Sequence, residues 1–368
     1  MTLLCAVLAS SSVSAGTKRK RFCGSMHDVR SRSLACDKAS VVDVSALQHF
    51  KQLRHLKLRE TGVVDLTPLA QLRHLESLDL SFTKATDLSP LAQVTSLTTL
   101  KANFSKVSDL SPLAKLPRLR ELVLRYSNVE DLTPLQTATS LRVLDVTGTK
   151  VADATPLTKL QLQEVILSDT ALEDATAVAQ LTTVQRLALN NLDELEKLPD
   201  LAPLTQLTWL DVSDTRLRAL TSLSSLRQLK TLRMSDTKVK SLAPLSTLTA
   251  LEVLDASDNQ VADVGALSTM AELQWLHLED TSVRDLRPLS TLRQLRWLGL
   301  EGTLVDDVTP LAPLTKLERL NIESTKVTDV RPLQTLSSLR FLFTEGAPVD
   351  DANRKALQRK LRRCTILD

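Results

Sequence analysis

From Leu34 to Thr344, pairs of mostly apolar residues at alternate positions recur about every 22 residues, at 34/36, 56/58, 78/80, 100/102, 122/124, 144/146, 165/167, 187/189, 210/212, 232/234, 254/256, 276/278, 298/300, 320/322 and 342/344. Apolar side chains at i and i+2 fall on one face of an extended segment, so each recurrence predicts a short strand with its apolar face inward. That makes fifteen rungs. A period of this length is the mark of a solenoid, in which identical units stack into one continuous core. Rungs paired in parallel at ~4.8 Å would build a sheet ~67 Å long.

The rest of the unit is polar in a fixed order. After each strand comes Thr or a near equivalent, as in Thr61, Thr83, Ser105, Ser127, Thr149, Thr170, Thr215, Thr237, Asn259, Thr281, Thr303 and Thr325. A short polar side chain inside an apolar solenoid needs a hydrogen-bond partner, and the backbone of the turn and of the next rung is within reach. Next comes a segment such as Val107-Ser108-Asp109-Leu110-Ser111-Pro112-Leu113, and most of the fourteen prolines occupy this slot. Ser or Thr before Pro reads as the N-cap and first position of a short helix. The unit is therefore strand inside and short helix or 3-10 turn outside, an α/β solenoid. The register slips twice, with 21 residues from Leu144 to Val165 and 23 from Leu187 to Leu210. The second slip, Asn190 to Pro199, reads as a hinge or kink, or equally as a repeat that drifted with compensating length.

These residues resemble the leucine-rich repeat family, in its 22-residue class found in bacterial internalins and in nuclear phosphatase-regulating repeat proteins. The resemblance is renewed in every rung. It departs in one respect, since the family places Asn where this chain places Thr, and Asn259 alone keeps it. It implies an arc or horseshoe whose concave parallel sheet is the binding face.

Four divisions follow: residues 1–16 as a leader or arm, 17–33 as a basic N-terminal cap, 34–349 as the repeat domain, and 350–368 as a capping helix and tail. Acids at Asp350 and Asp351 and bases at Arg359 to Arg363 suit the dipole of that helix. Thr2 to Ala9 is a short apolar run, with Val13-Ser14-Ala15 where a signal peptidase would cut, but no base precedes it and Lys18-Arg19-Lys20-Arg21 follows. The expectation is a cytoplasmic protein, the alternative secretion after cleavage near Ala15. The tetrad reads as a solvated arm or a nuclear address. Cys5, Cys23, Cys36 and Cys364 are too few for a disulfide framework, and a Cys23–Cys36 bridge requires export. A net charge of +3 argues for neither nucleic acid nor a membrane surface, and no apolar run reaches the ~20 residues of a membrane span.

In this architecture the residue before each apolar pair, the one between, and the two after it face the concave side. Eight of the ten aromatics fall in these slots. Phe82, Phe104 and Tyr126 form one column after the strand, while Trp209, Trp275, Trp297 and Phe341 form another before it, with Phe343 between. Aromatic residues on a polar face are the usual anchors of protein interfaces. From the ninth rung, at Leu210, the same face is acidic: Asp211, Asp214, Asp236, Asp255, Asp258, Glu279, Asp280, Glu301, Glu323 and Glu345 stand against Arg233 and Arg319. His277 beside Glu279 reads as polarity on the face rather than an acid–base pair, and there is no phosphate-binding glycine loop, metal-ligand spacing or cofactor motif. The expected function is a monomeric, non-enzymatic scaffold that binds a protein with a basic surface. The alternatives are a surface module for a peptide or glycan, or the binding part of a larger enzyme or ligase assembly.

Overall fold

The computed structural model describes residues 18–37 and 40–368, so the leader lies outside the described residues. The chain opens with an antiparallel hairpin, β1 (Arg19–Phe22) and β2 (Ser25–Asp28). A 16-stranded parallel sheet follows in strict sequence order, from β3 (Ser33–Ala35) through β17 (Phe341–Phe343) to β18 (Thr365–Leu367). The first fifteen strands lie on the fifteen rungs expected from the alternation. Each is three residues long and pairs through its first apolar residue, as in Leu78↔Leu100 and Leu276↔Leu298. Those leucines and their i+2 partners are buried in one core running the length of the molecule.

Both register slips leave the sheet unbroken, with Leu144 opposite Val165 and Leu187 opposite Leu210. The length differences are absorbed on the convex side. The first slip follows the 3-10 segment Thr155–Leu157, which is as short as those at Thr221–Leu223 and Thr309–Leu311 in unslipped rungs. The second has an irregular path in place of a 3-10 segment, joined to the next rung by a Leu192↔Thr215 bridge.

The convex segments are 3-10 turns of at most five residues, nine of them with Pro at the first or second position. Their caps differ from expectation. The Ser or Thr before Pro makes no capping bond; the carboxylate two residues earlier accepts its backbone N–H instead, as in Asp65 with Thr67 (2.8 Å) and Asp131 with Thr133 (2.7 Å). The aspartate of Val-x-Asp-Leu is thus the turn-forming residue, by the Asx geometry that suits a short side chain.

The Thr column also differs. Thr83 and Thr303 donate to the carbonyls of Leu80 (2.7 Å) and Leu300 (2.6 Å), three residues back in their own rung. Except at Ser127, which has no partner among the described residues, and Thr237, the hydroxyls of the column close their own turns and do not link successive rungs. Asn259 does link them: its amide reaches Met234 O of the preceding rung (2.8 Å) as well as its own turn, and its Oδ1 accepts from Thr237 (2.5 Å). A hydroxyl has one proton to give, whereas the amide has two.

Both ends of the core are covered. The C-terminal helix α1 (Asp351–Lys360) begins at Asp350, whose carboxylate accepts from Asn353 N (2.7 Å). The tail beyond it is more than the expected extension: it returns to the sheet as β18, alongside β17. Cys364 lies buried beneath it as a free thiol, pushed up by burial to about 11. At the other end a Cys23–Cys36 disulfide ties the hairpin turn to the first rung, and Phe22 is buried against the core.

Candidate binding site on the concave face

The residue before each Thr adopts a left-handed backbone, which lets its N–H pair with the next rung, as Phe82 N does with Asn103 O (2.8 Å) and Asp258 N with Glu279 O (2.9 Å). Most rungs fill this position with Gly, Asp or Asn, the residues that tolerate positive φ. Three successive rungs place Phe82 (φ 59), Phe104 (φ 52) and Tyr126 (φ 53) there. The rings stack at 4.6 and 4.8 Å between centroids. Arg59 covers the outer face of Phe82 at 5.0 Å, and Tyr126 lies over Gly148, where a Cβ would come within 2.2 Å of the ring. The stack is closed at both ends and offers only ring edges to a ligand.

The second column is open. Arg186 covers Trp209 (4.3 Å) and Arg319 covers Phe341 (5.2 Å), but Trp275 and Trp297 line a cleft of about 640 Å³ with Gln274, His277, Arg296, Glu318 and Arg319. Trp275 is 40% exposed. Trp297 is half-buried, with Phe343 edge-on at 6.3 Å, and its indole Nε1–H points at His277 Nδ1 (3.2 Å). The same Nδ1 lies 3.1 Å from Glu279 Oε1, and Ser257 Oγ shares its one proton between Glu279 Oε2 (3.0 Å) and Asp255 Oδ1 (2.8 Å). Gly299 makes room for this carboxylate, because a Cβ there would sit 1.7 Å from Oε1. His277 and Glu279, expected to be independent polar groups, are thus joined in a half-buried network.

Burial pulls the His277 pKa down, but the hydrogen bond and charge of Glu279, with Asp255 beyond, outweigh it, and the net shift is upward. Burial pushes Glu279 up, yet its bonds to His277 and Ser257 leave it below the usual carboxylate range.

The acids sort into two kinds. Those between the apolar pair serve the fold: Asp211 is buried with its carboxylate on Ser213 N (3.0 Å), and Asp255 holds Ser257 N (3.3 Å) and its hydroxyl (2.8 Å). Asp211 is therefore withdrawn from the surface on which the sequence placed it. Those after the pair form a margin: Asp214, Asp236, Asp258 and Asp280 in successive rungs, then Glu279, Glu301, Glu323 and Glu345. In this margin Asp236 pairs with Lys238 (3.7 Å) and Glu279 with His277, and among the described residues the others make no ion pair. Burial, then the neighbouring acids, raises the pKa of Asp214 and Asp258. The N-terminal half differs, since Lys101–Glu121 (2.9 Å) and Arg125–Asp145 (2.5 Å) neutralise one another. Arg233 is the exposed cation at the centre of the acidic half.

Gln274, Arg296 and Glu318 lie two residues before the apolar pair, outside the slots assigned to the concave face. Arg296 pairs with Glu318 (2.5 Å), and in sequence the 22-residue spacing of these opposite charges was the signal that could have found them. Among the described residues no group of three or more His, Cys, Asp or Glu is placed to hold a metal ion, and no helix is long and apolar enough to cross a membrane.

A parallel sheet of repeating rungs, 3-10 turns behind it and a ligand-sized cleft on its concave side define a leucine-rich repeat solenoid of the 22-residue class. Solved structures agree. An internalin of Listeria monocytogenes is 26% identical over 86% of this chain and 87% of its own, with a TM-score of 0.66. A leucine-rich repeat protein of Leptospira interrogans is 21% identical over 91% and 88%, with a TM-score of 0.84. The leucine-rich repeat ectodomain of an Arabidopsis thaliana membrane receptor kinase, solved in complex with Casparian strip integrity factor 2, is 19% identical over 91% of this chain and 46% of its own, with a TM-score of 0.68. No family model and no curated protein matches the chain.

Proposed function

We propose that this chain is an exported, non-enzymatic protein-binding scaffold, and that the C-terminal half of its concave face engages an extended, basic segment of a protein partner. The observation that carries this is the acidic margin, in which only Asp236 and Glu279 have a counter-ion among the described residues, set beside an open Trp275–Trp297 cleft. Uncompensated like charges on one face raise one another's energy and are relieved by a cationic partner, while exposed indoles supply the apolar anchor. The expectation of a cytoplasmic protein finds no support. A disulfide closing the N-terminal cap persists where thiols are oxidised, and favours the secreted alternative.

The test is selection of extended peptides on the immobilised chain. Lys- and Arg-bearing sequences are expected to be enriched, with binding weakened at least about 30-fold by Trp275→Ala with Trp297→Ala at an unchanged thermal midpoint. Binders without basic residues, or unchanged affinity in the double variant, would remove this reading.

A further inference from the structure

The chain itself carries a surface that matches the acidic half-face. In the N-terminal hairpin Arg21 is paired with Met26, and Arg19 with Asp28. Directly paired residues share a face, and residues two apart on a strand share it too. Phe22 is buried, so its face of the hairpin turns to the core at that end, and the face with Arg19, Arg21 and Met26 turns outward. Arg19, Lys20 and Arg21 are exposed and make no ion pair among the described residues. Met26 is 50% exposed, among the most exposed large apolar side chains described. Asp28 is already held by the Arg30 N–H (2.9 Å).

Two arginines beside a methionine complement two features at the far end of the sheet, the unpaired Asp258 and Asp280 and the Trp275 indole. Thioether sulfur against an indole is favourable in itself. The two surfaces cannot meet within one molecule, because ten rungs, about 48 Å, separate the first strand from that of Asp258.

We infer that the basic hairpin of one copy docks on the acidic, Trp-bearing margin of a second copy, head to tail. The contact is heterologous, since each copy uses a different surface, so every docked pair leaves one hairpin and one margin free and further copies add on. This rests on the margin being a cation-binding surface, as proposed above, and adds its occupant. The expectation of a monomer then holds only in dilute solution or at high salt.

Sedimentation velocity on the full chain tests it, at about 2 and about 100 µM protein in about 20 and about 500 mM salt, where the Debye length falls from roughly 20 to about 4 Å. The weight-average mass is expected at least to double at the higher concentration in low salt and to return to that of one chain in high salt. Arg19→Glu with Arg21→Glu, or Asp258→Lys with Asp280→Lys, should each give a monomer. Mixing the two variants should restore association, as chains in which the two alternate, which a misfolded variant could not form. A wild-type chain that stays monomeric at low salt, reversals that leave association unchanged, or variants that do not recombine would each overturn the inference. If the wild type is monomeric yet basic peptides still bind in a Trp275-dependent manner, self-docking fails while the proposed function stands.

Discussion

His277 holds two partners with one atom. Nδ1 can accept from Trp297 Nε1–H only when it carries no proton, and can donate to Glu279 only when it carries one. With the His277 pKa raised and that of Glu279 lowered, the ion pair exists between the two values. Its contribution to stability is full below the ordinary histidine value and fades as pH rises through the raised one. At the acid end it is lost as pH falls through the lowered Glu279 value. Arg233 opposes the charge, and Arg296 and Arg319 with Glu318 line the same cleft. The indole N–H resonance of Trp297 should therefore titrate with a midpoint above that of an ordinary histidine, and His277→Gln should abolish the transition; a pH-independent resonance would show that Trp297 and His277 are uncoupled. Phe104 poses a different balance. A left-handed phenylalanine costs roughly 1 kcal/mol, and two stacked neighbours return a similar amount. Phe104→Gly is accordingly expected to change stability by less than about 1 kcal/mol, read from the denaturation midpoint, and a larger loss would mean that the stack carries the local fold. Residues of the period itself were legible in sequence; this histidine's tie to Trp297, 20 residues on, was not, because it falls off the repeat.

In the repeating element the carboxylate is the capping group, and its titration reports it. The side-chain hydroxyl and then the backbone N–H of the following Ser or Thr hold Asp65, Asp87, Asp131 and Asp174 below the usual aspartate range. These groups add stability above the ordinary aspartate value, and that contribution is lost as pH falls through their lowered values. Asp214 and Asp258 act in the opposite sense: raised by burial and then by acidic neighbours, they oppose folding while ionised and are relieved as pH falls through their raised values. Asp131→Ala should lower stability by about 1 kcal/mol at neutral pH, while Asp258→Asn leaves it unchanged or higher, both checked by denaturant unfolding. The reverse order would mean that the turn does not depend on its aspartate. The sequence pattern showed that a polar cap precedes each proline, but it pointed to the Ser or Thr rather than to the aspartate two positions earlier. Only the backbone path decides between them, since the 3-10 turn begins at the Ser or Thr itself and leaves the aspartate where its side chain can reach back.

At the scale of the whole molecule, rungs touch only their neighbours, so stability is local and the ends fray first. The fifteen rungs were legible because one side-chain pattern repeats at one spacing. The sixteenth strand was hidden because Thr365-Ile366-Leu367 follows a helix and shares nothing with the repeat except its place beside β17. The N-terminal cap was expected but its form was hidden for a related reason, since β1 and β2 make a hairpin in which Phe22 is the buried side chain, with Cys23 packed partly against the core. The Cys23–Cys36 bridge is what fixes so slight a cap to the first rung. A disulfide closing a loop of this size contributes about 3 kcal/mol. In a solenoid that contribution protects the adjacent rungs rather than the distant ones. Reduction, or Cys23→Ser with Cys36→Ser, should thus speed amide exchange at Leu34, Leu56 and Leu58 by up to roughly a hundredfold while leaving Leu254 and Leu276 unchanged. Uniform acceleration along the chain would mean that the array unfolds as one unit and that the cap governs all of it; no acceleration anywhere would mean that Phe22 and the hairpin suffice without the bridge.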